Sequence, residues 1–222
     1  MVTALPLLSS RWRRAHWIVL APHPDDETLG AGALIAHAAS EKRMAAIIYL
    51  TDGTGSHPPG TRRLAAIRRA EARTALRRLG ARHVPLHWLD WIDAHPHAPG
   101  SSVFEKDARR LAAKLRRSKV DAIAVTHASE GHCDHAAAFA LASAAIRHAR
   151  RPVALFSYHV WSPLDPRARY LRTPRMAPGR RKQALSAHRS QLTAWLGEGF
   201  RLPRERLGMP SFDLLGLQKV WR

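Results

Sequence analysis

The sequence HWIVLAPHPDDETLGAGALIAHAA, residues 16–39, decides the fold. Its first part, 16–21, is a short apolar run and predicts a buried strand. In residues 28–39 the apolar positions recur at helical spacing, which predicts a helix. The polar segment 22–27 joins the two. A buried strand that leads directly into a helix is the repeating unit of a parallel α/β sheet.

The same alternation continues along the chain. Further strands are predicted at 44–50, 84–89, 121–126 and 153–158. Further helices are predicted at 61–79, 102–117, 134–150 and 180–196. Residues 162–178 are rich in Pro and Arg and predict a loop, and 212–220 predict an edge strand. We therefore expect one α/β domain over residues 1–222, with a mostly parallel sheet covered by helices on both faces.

Composition limits the class of protein. The chain of 222 residues is 45% hydrophobic, which is enough for a sizeable core. Its formal net charge is +19, which could indicate an anionic partner. The basic residues recur along most of the chain, however, so we interpret them as parts of solvated surfaces rather than as one anion-binding site. The single cysteine excludes an intramolecular disulfide, no apolar run reaches the length of a membrane span, and no secretory signal is recognisable. We expect a soluble cytoplasmic protein.

A first polar cluster follows the first predicted strand. His23, Asp25, Asp26 and Glu27 lie where a buried strand meets a helix. Burying several carboxylates together is costly unless a cation compensates for their charge. His23 and Asp26 are three positions apart, so both can face one ion from the strand end and the first helical turn. An imidazole with a carboxylate suits a divalent transition metal, most commonly zinc.

A second polar cluster, GHCDH at 131–135, follows the fourth predicted strand. Because the first and fourth strands are often neighbours where the strand order of such a sheet reverses, we expect the clusters to face each other across a crevice. One more histidine from this segment would complete three protein ligands and leave a position open for water, as in catalytic sites. The spare groups then have roles: Asp25 can take a proton from the water, and His132 can donate to an oxyanion or a leaving amine.

Simpler interpretations compete with this one. An Asp-Asp-Glu segment at a helix start is often a cap, and a His-x-x-His segment is often a solvated helix face. Two such clusters at equivalent strand ends favour a ligand site over these alternatives.

The segments APHPDDETLGAGALIA (21–36) and GHCDH (131–135) resemble the PIG-L/LmbE family of zinc-dependent de-N-acetylases. The resemblance extends to an Arg-x-x-Glu segment at 68–71 and to a Ser-Gln pair at 190–191. It implies a Rossmann-like fold and an N-deacetylase that removes an acetyl group from a small N-acetylglucosamine conjugate. The net charge of +19 would attract such a substrate if the substrate is anionic.

The resemblance also implies roles for individual residues. His23, Asp26 and His135 would be the metal ligands, with Zn²⁺ as the cofactor and Fe²⁺ as the alternative. Asp25 would be the general base. His132 would stabilise the tetrahedral intermediate and protonate the amine.

The resemblance also bears on three further residues. Asp134 would tune His132. Arg68 would contact substrate, although a solvated or ion-paired helix arginine is an equal alternative. Cys133 stands where the family commonly has proline, and we expect an inert substitution rather than a fourth ligand or an oxidation site.

Two other functions are compatible with the sequence. Two histidines and a carboxylate also form the facial triad of non-haem iron oxygenases. The basic charge would suit a nucleic-acid-binding or scaffolding protein with an inactive site. Specificity would depend on the loops 53–60, 91–100 and 161–178, where Trp91 and Trp161 would either stack on a sugar or anchor the packing.

Overall fold

The computed structural model describes residues 2–221, which form one eight-stranded sheet with helices on both faces. The strand order is β1-β7-β8-β6-β5-β2-β3-β4, and all neighbours are parallel except the two pairs that involve β8. The strands are β1 (Thr3–Pro6), β2 (Trp17–Ala21), β3 (Met44–Thr51), β4 (Leu86–Trp91), β5 (Ala122–Thr126), β6 (Val153–Tyr158), β7 (Arg169–Arg172) and β8 (Leu214–Trp221).

The helices divide between the two faces of the sheet. They are α1 (Asp26–Ser40), α2 (Leu64–Arg78), α3 (Ser102–Arg117), α4 (Cys133–Ala149), α5 (Arg180–Leu185) and α6 (Arg189–Leu192). One apolar cluster joins α1, α2 and α5 to the sheet, and a second joins α3 and α4 to the opposite face. Within the described residues, no helix combines the length and apolar character needed to cross a bilayer. The expected α/β fold, with a mostly parallel sheet covered on both faces, is confirmed.

All five residues of strand β2 are buried, as expected for a strand in the interior of the sheet. It pairs in parallel with β3 on one side and β5 on the other, so that Val19 lies opposite both Ile47 and Ala124. The predicted adjacency of the first and fourth strands is therefore confirmed, as β2 and β5. Their carboxyl ends, where the two polar clusters begin, lie side by side.

The C-terminal third differs from the sequence prediction. Residues 162–178 were expected to be a loop, but they contain β7, whose Tyr170 and Leu171 are buried between flanking arginines. The predicted edge strand is β8, which lies inside the sheet between β6 and β7. Strand β1 was not predicted. These strands depend on pairing with each other, which a local pattern does not reveal.

The helix predicted at 180–196 is wrong as a continuous element. It is divided into α5, α6 and a 3₁₀ turn at Ala194–Leu196. The break occurs at His188, whose ψ of 58° is not helical and whose side chain is fully buried. Contacts with Glu71 of α2 and with Asp25, described below, override the helical pattern at this point.

A buried ion pair fastens the C-terminal segment to α1. The Arg181 guanidinium donates to the carbonyl oxygens of Thr28 and Leu29 at 2.6 Å each and pairs with Asp213. The Asp213 carboxylate also accepts from the backbone N–H of Leu34 at 2.7 Å. Because Arg181 and Asp213 are each only 4% exposed, loss of either partner would leave a buried charge unpaired.

Helix α1 approaches Tyr158 of β6 closely at Gly30. A Cβ atom at this position would lie 2.1 Å from Cδ2 of Tyr158, whose hydroxyl donates to the carbonyl oxygen of Leu20 at 3.1 Å. The absence of a side chain at Gly30 therefore lets α1 pack against Tyr158 while the tyrosine stays bonded to β2.

We expect Gly30→Ala to lower the free energy of unfolding by about 1–3 kcal/mol, because overpacking outweighs the gain of about 1 kcal/mol in helix propensity. Chemical denaturation measures the change. Gly208→Ala is the control, since a Cβ there meets no atom within 4 Å. A more stable Gly30→Ala variant would contradict the close contact.

Candidate active site

A pocket of about 560 Å³ opens at the carboxyl ends of β2 and β5. Its lining combines the two predicted polar clusters with residues from six other parts of the chain. The lining residues are His23, Asp25, Asp26, Gly55, Ser56, Arg68, Asp93, Ala94, Glu130, Gly131, His132, His135, Trp161, Gln191 and Phe200. The volume lies in the range of pockets that enclose drug-sized ligands.

The structure brings His23, Asp26 and His135 together. Oδ2 of Asp26 lies 3.2 Å from Nδ1 of His23 and 3.3 Å from Nε2 of His135. One potential ligand atom from each residue lies within 4.8 Å of the others. His135 and Asp26 are almost fully buried. Asp26 is the first residue of α1, and His135 is in the first turn of α4.

The electrostatics of this trio suit a cation. Burial raises the pKa of Asp26, but the charges and hydrogen bonds of His135 and His23 hold it well below its usual range. Burial lowers the pKa of His135, but Asp26 and Glu130 outweigh this effect and raise it to about 9. Protons on the imidazoles thus balance the carboxylates, and a divalent cation would supply the same positive charge.

The outer nitrogens of both histidines also fit a metal site. Nε2 of His23, the nitrogen facing away from Asp26, lies 3.0 Å from Oδ2 of Asp134. Nδ1 of His135 has no hydrogen bond in the described part of the chain, and Oε2 of Glu130 lies 3.6 Å away. Metal-binding histidines usually present their other nitrogen to such an oxygen, which fixes the ring and its tautomer. The residues present therefore fit a divalent metal.

Asp25 lies beside this trio in an unusual backbone conformation. Its φ of 135° is rare for a residue other than glycine and costs about 1–3 kcal/mol. Its backbone N–H donates to Glu27 at 3.0 Å, and its carboxylate accepts from Nε2 of Gln191 at 2.5 Å. Burial and the neighbouring Asp26 raise the pKa of Asp25 well above its ordinary value. A buried carboxylate with raised proton affinity has the properties of a general base.

His132 also lines the pocket, and it is the N-terminal cap of α4. Its Nδ1 accepts from the backbone N–H of Asp134 at 3.2 Å, so the neutral ring carries its proton on Nε2. Burial and the charge of His23 lower the pKa of His132. The ring is therefore a hydrogen-bond donor through Nε2 at neutral pH.

The carboxylate of Asp134 is closer to His23 than to the histidine that it was expected to tune. Its Oδ2 lies 3.0 Å from Nε2 of His23 but 3.8 Å from Nδ1 of His132, and it accepts from the N–H of Ala94 at 2.8 Å. Asp134 thus orients His23 directly, and its effect on His132 stays a prediction.

Two carboxylates of the site were not singled out from the sequence. Oδ1 of Asp93 lies 3.2 Å from Nε2 of His23, and its Oδ2 accepts from the N–H of Gly55 at 3.0 Å. Glu130 lies behind His135. Asp93 follows β4 at the same edge of the sheet and so obeys the rule that located the other clusters, but a single aspartate in a loop forms no recognisable cluster. Glu130 gave no signal beyond its place beside the second cluster.

Arg68 is buried, at 1% exposure, and lies at the pocket. It donates to Oγ of Ser56 at 2.7 Å, and its Nε has no partner among the described residues. Arg68 is therefore not a solvated arginine, because it is buried. It is not an ion-paired one either, because no carboxylate among the described residues forms a salt bridge with it. A guanidinium held in this way at a pocket wall is suited to bind a polar ligand group.

The aromatic residues divide into packing and pocket groups. Trp91 is 1% exposed and donates from Nε1 to Asp107 at 2.9 Å, so it is a packing anchor and the idea of a sugar platform there is wrong. Trp161 lines the pocket and meets Phe200 edge to face, with ring centroids 6.1 Å apart. Phe200 was missed because it lies in an irregular segment without periodicity.

Cys133 is exposed at the first position of α4 and is absent from the candidate ligand groups of the described residues. Partial desolvation of its sulfur and the charge of Asp134 raise the pKa of the thiol. A raised pKa reduces the thiolate fraction, which agrees with the expected inert substitution.

The family model described as PIG-L, GlcNAc-PI de-N-acetylase, matches residues 18–146, more than half of the chain. The chain therefore belongs to the PIG-L family.

A curated relative is the 1D-myo-inositol 2-acetamido-2-deoxy-alpha-D-glucopyranoside deacetylase of Segniliparus rotundus. It is 34% identical over 141 residues, which cover 51% of this chain and 44% of the relative. The match thus spans less than half the length of that relative.

Solved structures show the same fold. A conserved protein of Thermus thermophilus is 24% identical with a TM-score of 0.65, and the match covers 92% of this chain and 95% of that one. The N,N'-diacetylchitobiose deacetylase of Pyrococcus horikoshii is 20% identical with a TM-score of 0.69, covering 95% and 86%.

The contacts of Glu130 can be tested through the pH dependence of the free energy of unfolding. Its carboxylate accepts from the N–H groups of Val160 at 3.0 Å, Trp161 at 2.7 Å and Ser162 at 3.3 Å, and from the Ser162 hydroxyl at 2.6 Å. Burial raises the pKa of Glu130, but His135 and these donors outweigh it and lower the pKa to about 2. Because the folded pKa is depressed, this stabilisation is present above the ordinary pKa and is lost as the pH falls towards 2.

We expect the stability advantage of the wild type over Glu130→Gln to shrink by about 2 kcal/mol between pH 7 and pH 3. Urea unfolding of both proteins with a chelator present measures it. The exposed Glu205→Gln variant is the control, and its difference from the wild type should stay constant. An unchanged Glu130→Gln difference across this range would contradict the ionised, fully bonded carboxylate.

Proposed function

We propose that this protein is a metal-dependent hydrolase that removes an N-acetyl group from a small substrate containing an amino sugar. One observation carries the proposal: the trio of His23, Asp26 and His135, of which Asp26 and His135 are buried, shares a pocket with Asp25 and His132. Membership of the PIG-L family and the names of the two deacetylases among the similar proteins support the substrate class.

His23, Asp26 and His135 would hold the metal, either Zn²⁺ or Fe²⁺. Two imidazoles and one carboxylate are a donor set that both ions accept. When bound, the ion would supply Lewis acidity to the acyl oxygen and to the attacking water. Asp134 and Asp93 would keep His23 oriented through its Nε2.

Asp25 would take the proton of the attacking water. Its carboxylate lies at the pocket beside Asp26, and its burial gives it the raised proton affinity that this role needs. The strained backbone places the side chain there, and its persistence is typical of residues whose position serves function.

His132 would act on the other side of the acyl carbon. Its Nε2–H can donate to the oxygen that becomes negative as water adds, while the bond at Nδ1 fixes the ring. To protonate the leaving amine, the neutral ring would first receive the proton that Asp25 has taken from the water. Its lowered pKa then makes the imidazolium a stronger acid, which favours proton transfer to the amine. The electrostatic influence of Asp134 would tune this transfer.

Arg68 and the aromatic pair Trp161 and Phe200 would bind the rest of the substrate. Arg68 offers a guanidinium to hydroxyl or anionic groups, and Trp161 offers a face on which a sugar ring can stack. The pocket volume of about 560 Å³ leaves room for a group beyond the acetylated sugar.

The first test concerns the metal. We expect about one Zn²⁺ or Fe²⁺ per chain, as for a three-ligand catalytic site, and loss of acetate release after chelation, with recovery on adding the ion. Elemental analysis should show His135→Ala without the ion, and exposed His83→Ala with wild-type content. Acetate is measured over a panel of N-acetylglucosamine conjugates. Metal binding without acetate from any conjugate would reject the substrate class, and absence of metal would reject the site.

The second test separates base from ligand. Asp25→Asn should keep its metal but lose about 10²- to 10⁴-fold in kcat, since a general base contributes about this much. Asp165→Asn, in the loop before β7, is the control and should retain wild-type kcat. Metal loss in Asp25→Asn, or activity near the wild-type value, would show that Asp25 is not the base.

A further inference from the structure

Residues in two sequence segments have no role in the mechanism above, although they meet at the site. One is the Arg-x-x-Glu segment of α2, which contains Glu71, and the other is the pair Ser190 and Gln191 in α6. Both Ser190 and Gln191 are buried, and Gln191 lines the pocket.

Glu71 holds Ser190 through two hydrogen bonds. Its Oε1 accepts from the backbone N–H of Ser190 at 2.8 Å, and its Oε2 accepts from the Ser190 hydroxyl at 2.6 Å. Two bonds from a single carboxylate fix both the position and the rotation of the first turn of α6. They also explain the break in the predicted helix, because a continuous helix would not present the Ser190 backbone N–H to α2.

The next residue carries this restraint to Asp25. The Gln191 side chain donates from Nε2 to Oδ2 of Asp25 at 2.5 Å, and the backbone carbonyl oxygen of Gln191 accepts from the N–H of Leu202 at 2.7 Å. Among the described residues, Gln191 is the side chain that hydrogen-bonds the Asp25 carboxylate. It occupies one carboxylate oxygen and leaves the other for the attacking water.

We propose that Gln191 is the positioning residue of Asp25, and that Glu71 and Ser190 act on Asp25 through Gln191. This inference rests on the proposed function of Asp25 as the base. The chain of contacts runs from α2 through α6 to the loop after β2, so three separate parts of the chain set the orientation of one carboxylate. The strained backbone of Asp25 alone would not fix its side chain.

The kinetic test uses Gln191→Met, which keeps the volume but removes the donor. We expect kcat to fall about 10- to 100-fold, as for a misplaced catalytic group, with KM within about twofold and unchanged metal content. Gln183→Met, at an exposed glutamine of α5, is the matched control. Wild-type kcat in Gln191→Met, or loss of its metal, would overturn the proposal.

A double variant tests whether Ser190 acts through Gln191. Ser190→Ala should lower kcat by a smaller factor, and Ser190→Thr, which keeps the hydroxyl, should recover part of it. In the Gln191→Met background Ser190→Ala should have no further effect on kcat, because the path to Asp25 is already broken. If the two effects multiply, Ser190 only ties α6 to α2, and the proposed path is wrong.

A spectroscopic arm separates this inference from the proposed function. The side-chain amide protons of Gln191, assigned by their loss in Gln191→Met, should exchange slowly in the wild type and faster in Ser190→Ala and Asp25→Ala. That pattern in a protein without deacetylase activity would keep the contact path and reject the function. If the exchange rate is the same in the wild type and in both variants, and the wild type is an active deacetylase, the contact path is rejected and the function is kept.

Discussion

Strands β2 and β5 lie side by side and parallel although they are far apart in the sequence, and the site depends on this pairing. It brings the loop of His23 next to the start of α4, where His135 lies. The same pairing concentrates buried carboxylates at one edge of the sheet, where their charges must be compensated. The chain compensates with imidazoles and the Arg68 guanidinium, which is why the pKa of His135 rises while that of Asp26 falls.

Much of this arrangement follows from local sequence. Each strand from β2 to β6 was predicted within a few residues, because apolar runs and intervening helical patterns are local signals. The two polar clusters were located by the rule that ligands bind at carboxyl ends of parallel strands. Asp93 obeys the same rule, but a single aspartate among loop residues has no pattern of its own. Gln191 lies beyond such reasoning, since only the folded chain brings it to Asp25.

The C-terminal third shows why the remaining elements were not predictable. Strand β7 has only two buried residues, and its pairing partners β1 and β8 come from opposite ends of the sequence. The helical pattern at 180–196 is genuine, yet contacts with Glu71 and Asp25 have greater weight than local propensity. Arg181 then ties this irregular segment to α1, so that the supports of the site include residues distant from the metal trio.

The interior position of β8 has a consequence for the order of folding. Strands β1 and β7 pair with each other, and β8 joins that pair to β6 and the rest of the sheet. The first strand of the chain therefore has no place in the sheet until residues near the other end have been incorporated. Long-range pairing of this kind slows folding, because a large loop must close before the contacts form. During synthesis on the ribosome, residues from β2 to β6 can assemble early, whereas the N-terminal strand must wait for the C-terminal one to emerge.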